Sequence, residues 1–189
     1  MTPTEFVARL AEIMEVQQTE LATVDRALAK KGLRRLARGR SRPDINLMEA
    51  IQIVCAWAGV KNLTDAAEEL QRQRNFQVST DGLTEETECK YMEAFGTSLK
   101  EISGQSFPDV VRLAACQLGE GKYPLQELWI SIEKGGSVDL GYKRDDPNIR
   151  LLFYNLSTPE FFQPRKNVTI NVVIRGPVLK WIYDVTEGA

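Results

Sequence analysis

The chain has 189 residues, of which 43% are hydrophobic, and its 24 basic and 26 acidic residues give a net charge of −2. This length suits one large domain or two small ones, and the apolar fraction is sufficient for a packed core. No apolar run approaches the roughly 18 residues of a membrane-spanning helix, and the first residues lack the pattern of a secretion signal. We therefore expect a cytoplasmic protein that does not contact membranes.

The sequence contains no histidine, which excludes catalysis of the Ser-His-Asp and Cys-His types. It also lacks the glycine-rich motifs that bind nucleotide phosphates. Cys55, Cys89 and Cys116 are scattered and form no CxxC pair, so we interpret them as small buried hydrophobic residues. These features predict a protein that is not an enzyme and that uses no cofactor or metal.

Capping and stop residues predict where the first two helices begin and end. Thr2 is a suitable N-cap, and Glu5 completes a capping box, which predicts a helix from Pro3 to about residue 17. A second helix is predicted from near Thr19, and Gly32 is a natural C-terminal stop.

Two further helices follow a polar loop. Asp44 or Asn46 can cap the third helix, which is predicted to end at Gly59. Asn62 can cap the fourth, and residues 75–82 have the composition of a linker. Additional helices are predicted at residues 84–95 and, with Ser106 as the N-cap, at residues 107–119.

The apolar periodicity changes after residue 125, where alternation becomes typical of strands. It predicts five strands of an antiparallel meander at residues 129–133, 138–142, 149–154, 168–174 and 178–185. The fold class is therefore predicted to be α+β. A helical N-terminal domain of the helix-turn-helix type would occupy residues 1–78. A C-terminal domain for dimerisation or partner binding, with helices packed on the antiparallel β-meander, would occupy residues 79–189.

Positive charge is concentrated in one part of the chain. The eight basic residues of this segment are Arg26, Lys30, Lys31, Arg34, Arg35, Arg38, Arg40 and Arg42. No acidic residue lies between the first and the last of them, although acids outnumber bases over the whole chain. Such segregation indicates a local anionic partner.

We predict that these eight residues, together with Ser41, contact double-stranded DNA. Lysine and arginine bind phosphates, and arginine also forms paired hydrogen bonds to guanine in the major groove. Arg38-Gly39-Arg40 is short and cationic enough to enter a narrow minor groove. Two alternatives stay open: the segment binds RNA or another polyanion, or it is a solvated surface that pairs with acidic side chains elsewhere in the protein.

Several short motifs resemble a group of bacterial phage and prophage proteins. They are the stretch 24–33, the arginine-glycine-arginine-serine loop at 38–41, the Met48-Glu49-Ala50 helix and the closing Ile174-Arg175-Gly176-Pro177. The resemblance implies a phage-like gene whose product handles DNA or regulates transcription.

The favoured interpretation is a non-enzymatic transcriptional regulator that forms a homo-oligomer, with a dimer favoured because paired half-sites increase affinity. One alternative is a DNA-packaging adaptor that resembles a small terminase subunit. Another is a phage protein that binds and inhibits a host protein. Phe161 and Phe162, in a loop flanked by prolines, would mark a subunit contact if they are exposed.

Overall fold

The structure is a computed structural model that describes residues 1–36, 43–78, 98, 101–102, 104–122, 128–142, 150–154 and 170–188. The described residues form an α+β fold in which most helices precede the strands. The predicted helix at 84–95, Cys89 and the Phe161-Phe162 pair lie outside the described residues.

Four helices make up the first part of the chain. They are α1 (Pro3–Met14), α2 (Gln18–Lys30), α3 (Leu47–Gly59) and α4 (Ala66–Arg74), the last preceded by a 3-10 turn at Leu63–Asp65. The predicted capping box of α1 is confirmed, since the Glu5 amide donates to the Thr2 hydroxyl and the Glu5 carboxylate accepts from the Thr2 amide. Gly32 follows α2 with a φ of 71°, as a helix stop requires.

Two more helices and five strands complete the described fold. The helices are α5 (Phe107–Gly119) and α6 (Gly176–Thr186). The strands are β1 (Gln77–Val78), β2 (Leu128–Glu133), β3 (Val138–Tyr142), β4 (Arg150–Tyr154) and β5 (Asn171–Arg175).

The five strands form one sheet in the order β1-β4-β3-β2-β5, and every neighbouring pair is antiparallel. Strands β2, β3 and β4 follow each other as a meander, which the sequence predicts. Strand β5 returns to the far side of β2, and β1 adds an edge from the linker predicted at residues 75–82. The sheet is therefore antiparallel, but only its central part is a meander.

The prediction of a fifth strand at residues 178–185 is wrong, because these residues belong to α6. Pro177 lies in the first turn of this helix, where its missing N–H costs no hydrogen bond. Leu179 and Ile182, three positions apart, are fully buried on one helix face. The Arg175-Gly176-Pro177 sequence therefore starts a helix and is not a turn between strands.

Helix α3 lies at the centre of the molecule. All of its residues except Met48 and Trp57 are buried, and it contacts α2 and α4 as well as α5, α6 and β2. The rings of Phe6 in α1 and Trp181 in α6 stack with their centroids 5.5 Å apart. Buried side chains from both sides of residue 78 thus belong to one hydrophobic cluster. The division into two domains stays a prediction.

Candidate nucleic-acid interface

Helices α1 and α2 are joined by only three residues. Glu15 adopts the left-handed conformation, with a φ of 54°, and ends α1 earlier than the sequence predicts. Its amide donates to carbonyls of the last turn of α1, and the Val16 amide donates to the Ala11 oxygen at 3.0 Å. This tight connection starts α2 at Gln18 in a defined direction relative to α1.

The outward face of α2 is polar and free of acidic residues. Its exposed side chains are Gln18, Thr19, Arg26 and Lys30, and Thr23 is half-buried among them. The opposite face buries Leu21, Val24 and Leu28 against the core. The acidic residues of α2 have other partners: Glu20 accepts a 3.0 Å hydrogen bond from the Trp57 indole, and Asp25 pairs with Arg34.

Arg26 lies along the surface of its own helix. Its Nε donates to the Ala22 carbonyl at 3.1 Å, and its Nη2 donates to the Thr23 hydroxyl at 3.3 Å. Within the described part of the chain, neither Arg26 nor Lys30 forms an ion pair with a carboxylate. Both charges are therefore available to an anionic partner.

Lys31 pairs with Glu68 of α4, with 3.0 Å between Nζ and Oε1, and more than half of each side chain is exposed. Surface pairs of this kind contribute little and are easily exchanged for another anion. The pKa of Glu68 is lowered by this contact. Lys31 is thus compatible with the predicted role.

Arg34 is largely withdrawn from solvent. Its Nη2 donates to Asp25 Oδ2 at 3.0 Å, its Nε contacts Oδ1, and its Nη1 donates to the Arg35 carbonyl at 2.7 Å. Burial raises the pKa of Asp25, and the positive charge of Arg34 opposes that shift. The guanidinium of Arg34 therefore holds the chain after α2 and is not presented to solvent.

Arg35 is bound to Glu49 of α3 in two ways. Its backbone N–H and its Nε donate to Glu49 Oε1 at 2.8 Å and 3.0 Å, and its Nη2 donates to Oε2 at 2.9 Å. The same Nη2 also donates to the Asp44 carbonyl at 2.9 Å. Residues 35 and 44 are thereby linked directly, and residues 37–42 lie between them in the chain.

The backbone N–H of Asn46 donates one more hydrogen bond to Glu49 Oε2, at 3.1 Å. In turn, the backbone N–H of Glu49 donates to Asn46 Oδ1 at 2.8 Å, which completes a capping box. Burial alone would raise its pKa, but the hydrogen bonds from Arg35 and Asn46 outweigh burial, and the pKa of Glu49 is lowered. Glu49 is therefore a charged group with a structural role.

Four of the predicted DNA contacts, Arg38, Arg40, Ser41 and Arg42, lie outside the described residues. Sequence reasoning missed the acids that flank the segment, Asp25 and Glu49, and also the polar α2 residues Gln18 and Thr19. Only Asp25 gave a signal in the sequence, since it directly precedes the run of cations, whereas Glu49 stands seven positions beyond Arg42.

The described part of the chain holds no group of His, Cys, Asp or Glu side chains that would bind a metal ion, and none of its helices has the length and apolarity to cross a bilayer. Burial raises the pKa of both the Cys55 and the Cys116 thiols; Cys55 is fully buried and Cys116 is half-buried. A cleft of about 420 Å³ between α3, α5 and α6 is lined by charges of both signs, Arg112, Glu120 and Glu187.

No protein-family model matches the chain, and neither a curated protein nor a solved structure is significantly similar to it. The geometry of the basic segment is therefore the main basis for a functional assignment.

Proposed function

We propose that this protein is a non-enzymatic DNA-binding protein, a transcriptional regulator of the phage or prophage type, which contacts duplex DNA through α2 and the basic segment. One observation carries the proposal. The exposed face of α2 bears Arg26 and Lys30, neither of which forms an ion pair with a carboxylate of the described residues, and the chain then leads into the cations of residues 37–42.

The connection between α1 and α2 supports a helix-turn-helix arrangement. In such motifs a short turn joins two helices, and the N-terminal residues of the second helix reach base edges in the major groove. Gln18 and Thr19 occupy that position in α2 and are exposed. A glutamine amide is suited to paired hydrogen bonds with adenine. Helix α3 is buried on nearly all sides, so it does not compete for this role.

In this proposal the cations provide affinity for DNA, and the first residues of α2 provide sequence specificity. Arg26, Lys30 and Lys31 would contact phosphates, with Arg38, Arg40 and Arg42 extending the same surface. Arg34 and Arg35, predicted as contacts, would act through the backbone that they hold. A homodimer would place two such units on paired half-sites and increase affinity.

Salt-dependent binding of fluorescent duplex DNA tests the proposal. Each phosphate contact that is lost lowers the slope of log affinity against log salt by about 0.9. We expect Arg26→Ala/Lys30→Ala and Arg38→Ala/Arg40→Ala each to weaken binding and to reduce the slope by up to about two units.

The matched control is Lys122→Ala/Arg175→Ala, which removes two exposed cations from the C-terminal half. It changes the net charge equally and is expected to leave binding nearly unchanged. If the wild type does not bind duplex DNA at low salt, or if the control loses as much affinity as the α2 variant, the proposal is wrong. Light scattering completes the test: a dimer fits a regulator, and a ring of many subunits fits a packaging adaptor.

A further inference from the structure

Strand β5 forms one edge of the sheet in the described part of the chain, where its neighbour is β2 alone. The Lys134 amide donates to the Ile170 carbonyl at 2.9 Å, and this pair continues the β2–β5 register, so Ile170 turns its backbone polar groups towards β2. These groups alternate in direction along an antiparallel strand. Those of Asn171, Val173 and Arg175 therefore point away from β2, towards the edge.

The same edge carries exposed apolar side chains. Val173 is 52% exposed and Ile170 is 60% exposed, although both are large hydrophobic residues. Natural proteins usually protect a strand edge with a proline, a bulge or a lysine. Strand β5 contains neither proline nor lysine, and its register with β2 is regular. Such an edge is suited to pairing with another strand.

Strand β5 is complementary to a second copy of itself. In a two-fold antiparallel arrangement, Val173 lies opposite Val173 of the second copy, and Asn171 lies opposite Arg175 of that copy. All of these residues direct their backbone groups outward, so each opposed pair exchanges two backbone hydrogen bonds. The arrangement closes at two copies, because both use the same surface.

The same arrangement brings opposite charges together on the outer face of the sheet. Glu133 lies opposite Asn171, so Arg175 of the second copy would stand in the same row, two strand spacings or about 10 Å from Glu133. Within one chain, Glu133 and Arg175 lie four register positions apart, about 13 Å along the strands. Neither forms an ion pair with another described residue. A second copy thus offers each charge a closer counterpart than its own chain does.

We propose that β5 is the homodimer interface of this protein, and that it pairs antiparallel with β5 of a second copy around Val173. The inference goes beyond the proposed function, which includes a dimer without assigning its surface, and it does not depend on DNA binding. Backbone hydrogen bonds and the burial of Val173 provide the attraction. The pairs between Glu133 and Arg175 favour this register and contribute little affinity, as is usual for exposed ion pairs.

The decisive variant is Val173→Lys, which places two like charges next to each other at the two-fold axis. Sedimentation velocity of the full chain measures the dimer dissociation constant, which is expected to rise by at least about tenfold. The fold is expected to be retained, because Val173 is exposed, and circular dichroism checks this. The matched control is Ile13→Lys, the same kind of change at an exposed position of α1, which is expected to leave the dimer unchanged.

Charge reversal tests the register. Glu133→Arg and Arg175→Glu each bring like charges together and are expected to weaken the dimer several-fold. The double variant restores opposite charges between the copies and is expected to dimerise better than either single variant. Arg175→Ala removes attraction without adding repulsion, so it is expected to leave most of the dimer in place. If Val173→Lys does not fold, the charge reversals decide the question.

The possible outcomes separate this inference from the proposed function. A wild type that stays monomeric up to its limit of solubility, or that forms a ring of many subunits, overturns the inference. An unchanged dimer in folded Val173→Lys, or a double variant no better than the single ones, also overturns it. A dimer that behaves as expected but does not bind duplex DNA overturns the proposed function and leaves this interface standing.

Discussion

Arg34 and Asp25 form a salt bridge in which both side chains are almost hidden from solvent, with exposed fractions of 12% and 13%. It joins the last turns of α2 to the chain that follows them. The described cations of the basic segment therefore differ in their partners. Arg34 and Arg35 are held by carboxylates of the protein, whereas Arg26 and Lys30 face solvent without a carboxylate in ion-pair contact among the described residues.

This difference predicts that Arg34→Ala changes the stability of the fold much more than Arg26→Ala does. Removing Arg34 leaves the carboxylate of Asp25 largely buried and uncompensated, which is expected to lower the free energy of unfolding by about 3 kcal/mol. Removing Arg26 is expected to change stability by less than about 0.5 kcal/mol, as is usual for an exposed residue.

Denaturant unfolding and DNA titration on the same samples check this pair. Arg26→Ala should reduce the slope of log DNA affinity against log salt. Arg34→Ala, measured on the protein that remains folded, should leave that slope unchanged. A reduced slope in Arg34→Ala at full stability would instead place Arg34 on the DNA.

The second prediction concerns pH and Glu49. Because the folded-state pKa of Glu49 is lowered, its contribution to stability is fully present above its ordinary pKa of 4.5 and is lost as the pH falls through the lower folded-state value. Glu49→Gln cannot titrate. We expect the difference in unfolding free energy between wild type and Glu49→Gln to be largest near neutral pH and to shrink in acid.

Thermal or urea unfolding between neutral pH and about pH 3 measures this difference, and Glu12→Gln, an exposed residue of α1, is the control. A gap between wild type and Glu49→Gln that stays constant over this range would show that the ionised form of Glu49 is not preferred in the folded protein.

The third prediction concerns Arg72, which links α4 to the β2–β3 hairpin. Its Nε donates to Glu69 at 2.8 Å and its Nη1 donates to the Gly136 carbonyl at 2.8 Å, while its guanidinium carbon lies 4.6 Å from the centroid of the Phe76 ring. Arg72→Ala would leave the buried Glu69 without its cation and is expected to cost about 3 kcal/mol.

Lys180→Ala provides the comparison, because Lys180 and Asp184 form an exposed pair on α6. Its loss is expected to cost less than about 1 kcal/mol. Similar costs for both substitutions in chemical denaturation would show that the Arg72 network does not stabilise the hairpin. Neither variant should alter DNA binding at temperatures where it is folded.

The fourth prediction concerns the domain boundary proposed at residue 78. A fragment of residues 1–78 would expose the surfaces of α3 that contact α5, α6 and β2, and the face of Phe6 that stacks on Trp181. We expect this fragment to keep helical circular dichroism but to lose the sharp thermal transition of the full chain. A fragment that unfolds as sharply as the full chain would establish residues 1–78 as an independent domain.

Local signals in the sequence were sufficient for many helix and strand positions. Thr2 with Glu5, and Asn46 with Glu49, satisfy the first amides of their helices with nearby side chains, so two residues three positions apart mark each start. Gly32 ends α2 with the positive φ that glycine adopts without strain. The alternating apolar residues of β2 and β3 likewise predict a hairpin that is present in the structure.

Residues 178–185 show where local pattern was insufficient. Their apolar side chains fit both an alternating and a helical period, and short apolar runs of this kind are ambiguous. Packing decided the outcome, because only the helix brings Leu179 and Ile182 into the core together and Trp181 against Phe6. That choice depends on residues far away in the sequence.

The same limit applies to the basic segment. The sequence by itself determined that positive charge is concentrated between residues 26 and 42, because charge is a property of the residue types. Only the tertiary structure decided which of these charges are neutralised. Arg35 meets Glu49, 14 positions later, because the chain returns from α2 to the start of α3. Ion pairs act over a few ångströms of space, and one sequence without its fold does not give those distances.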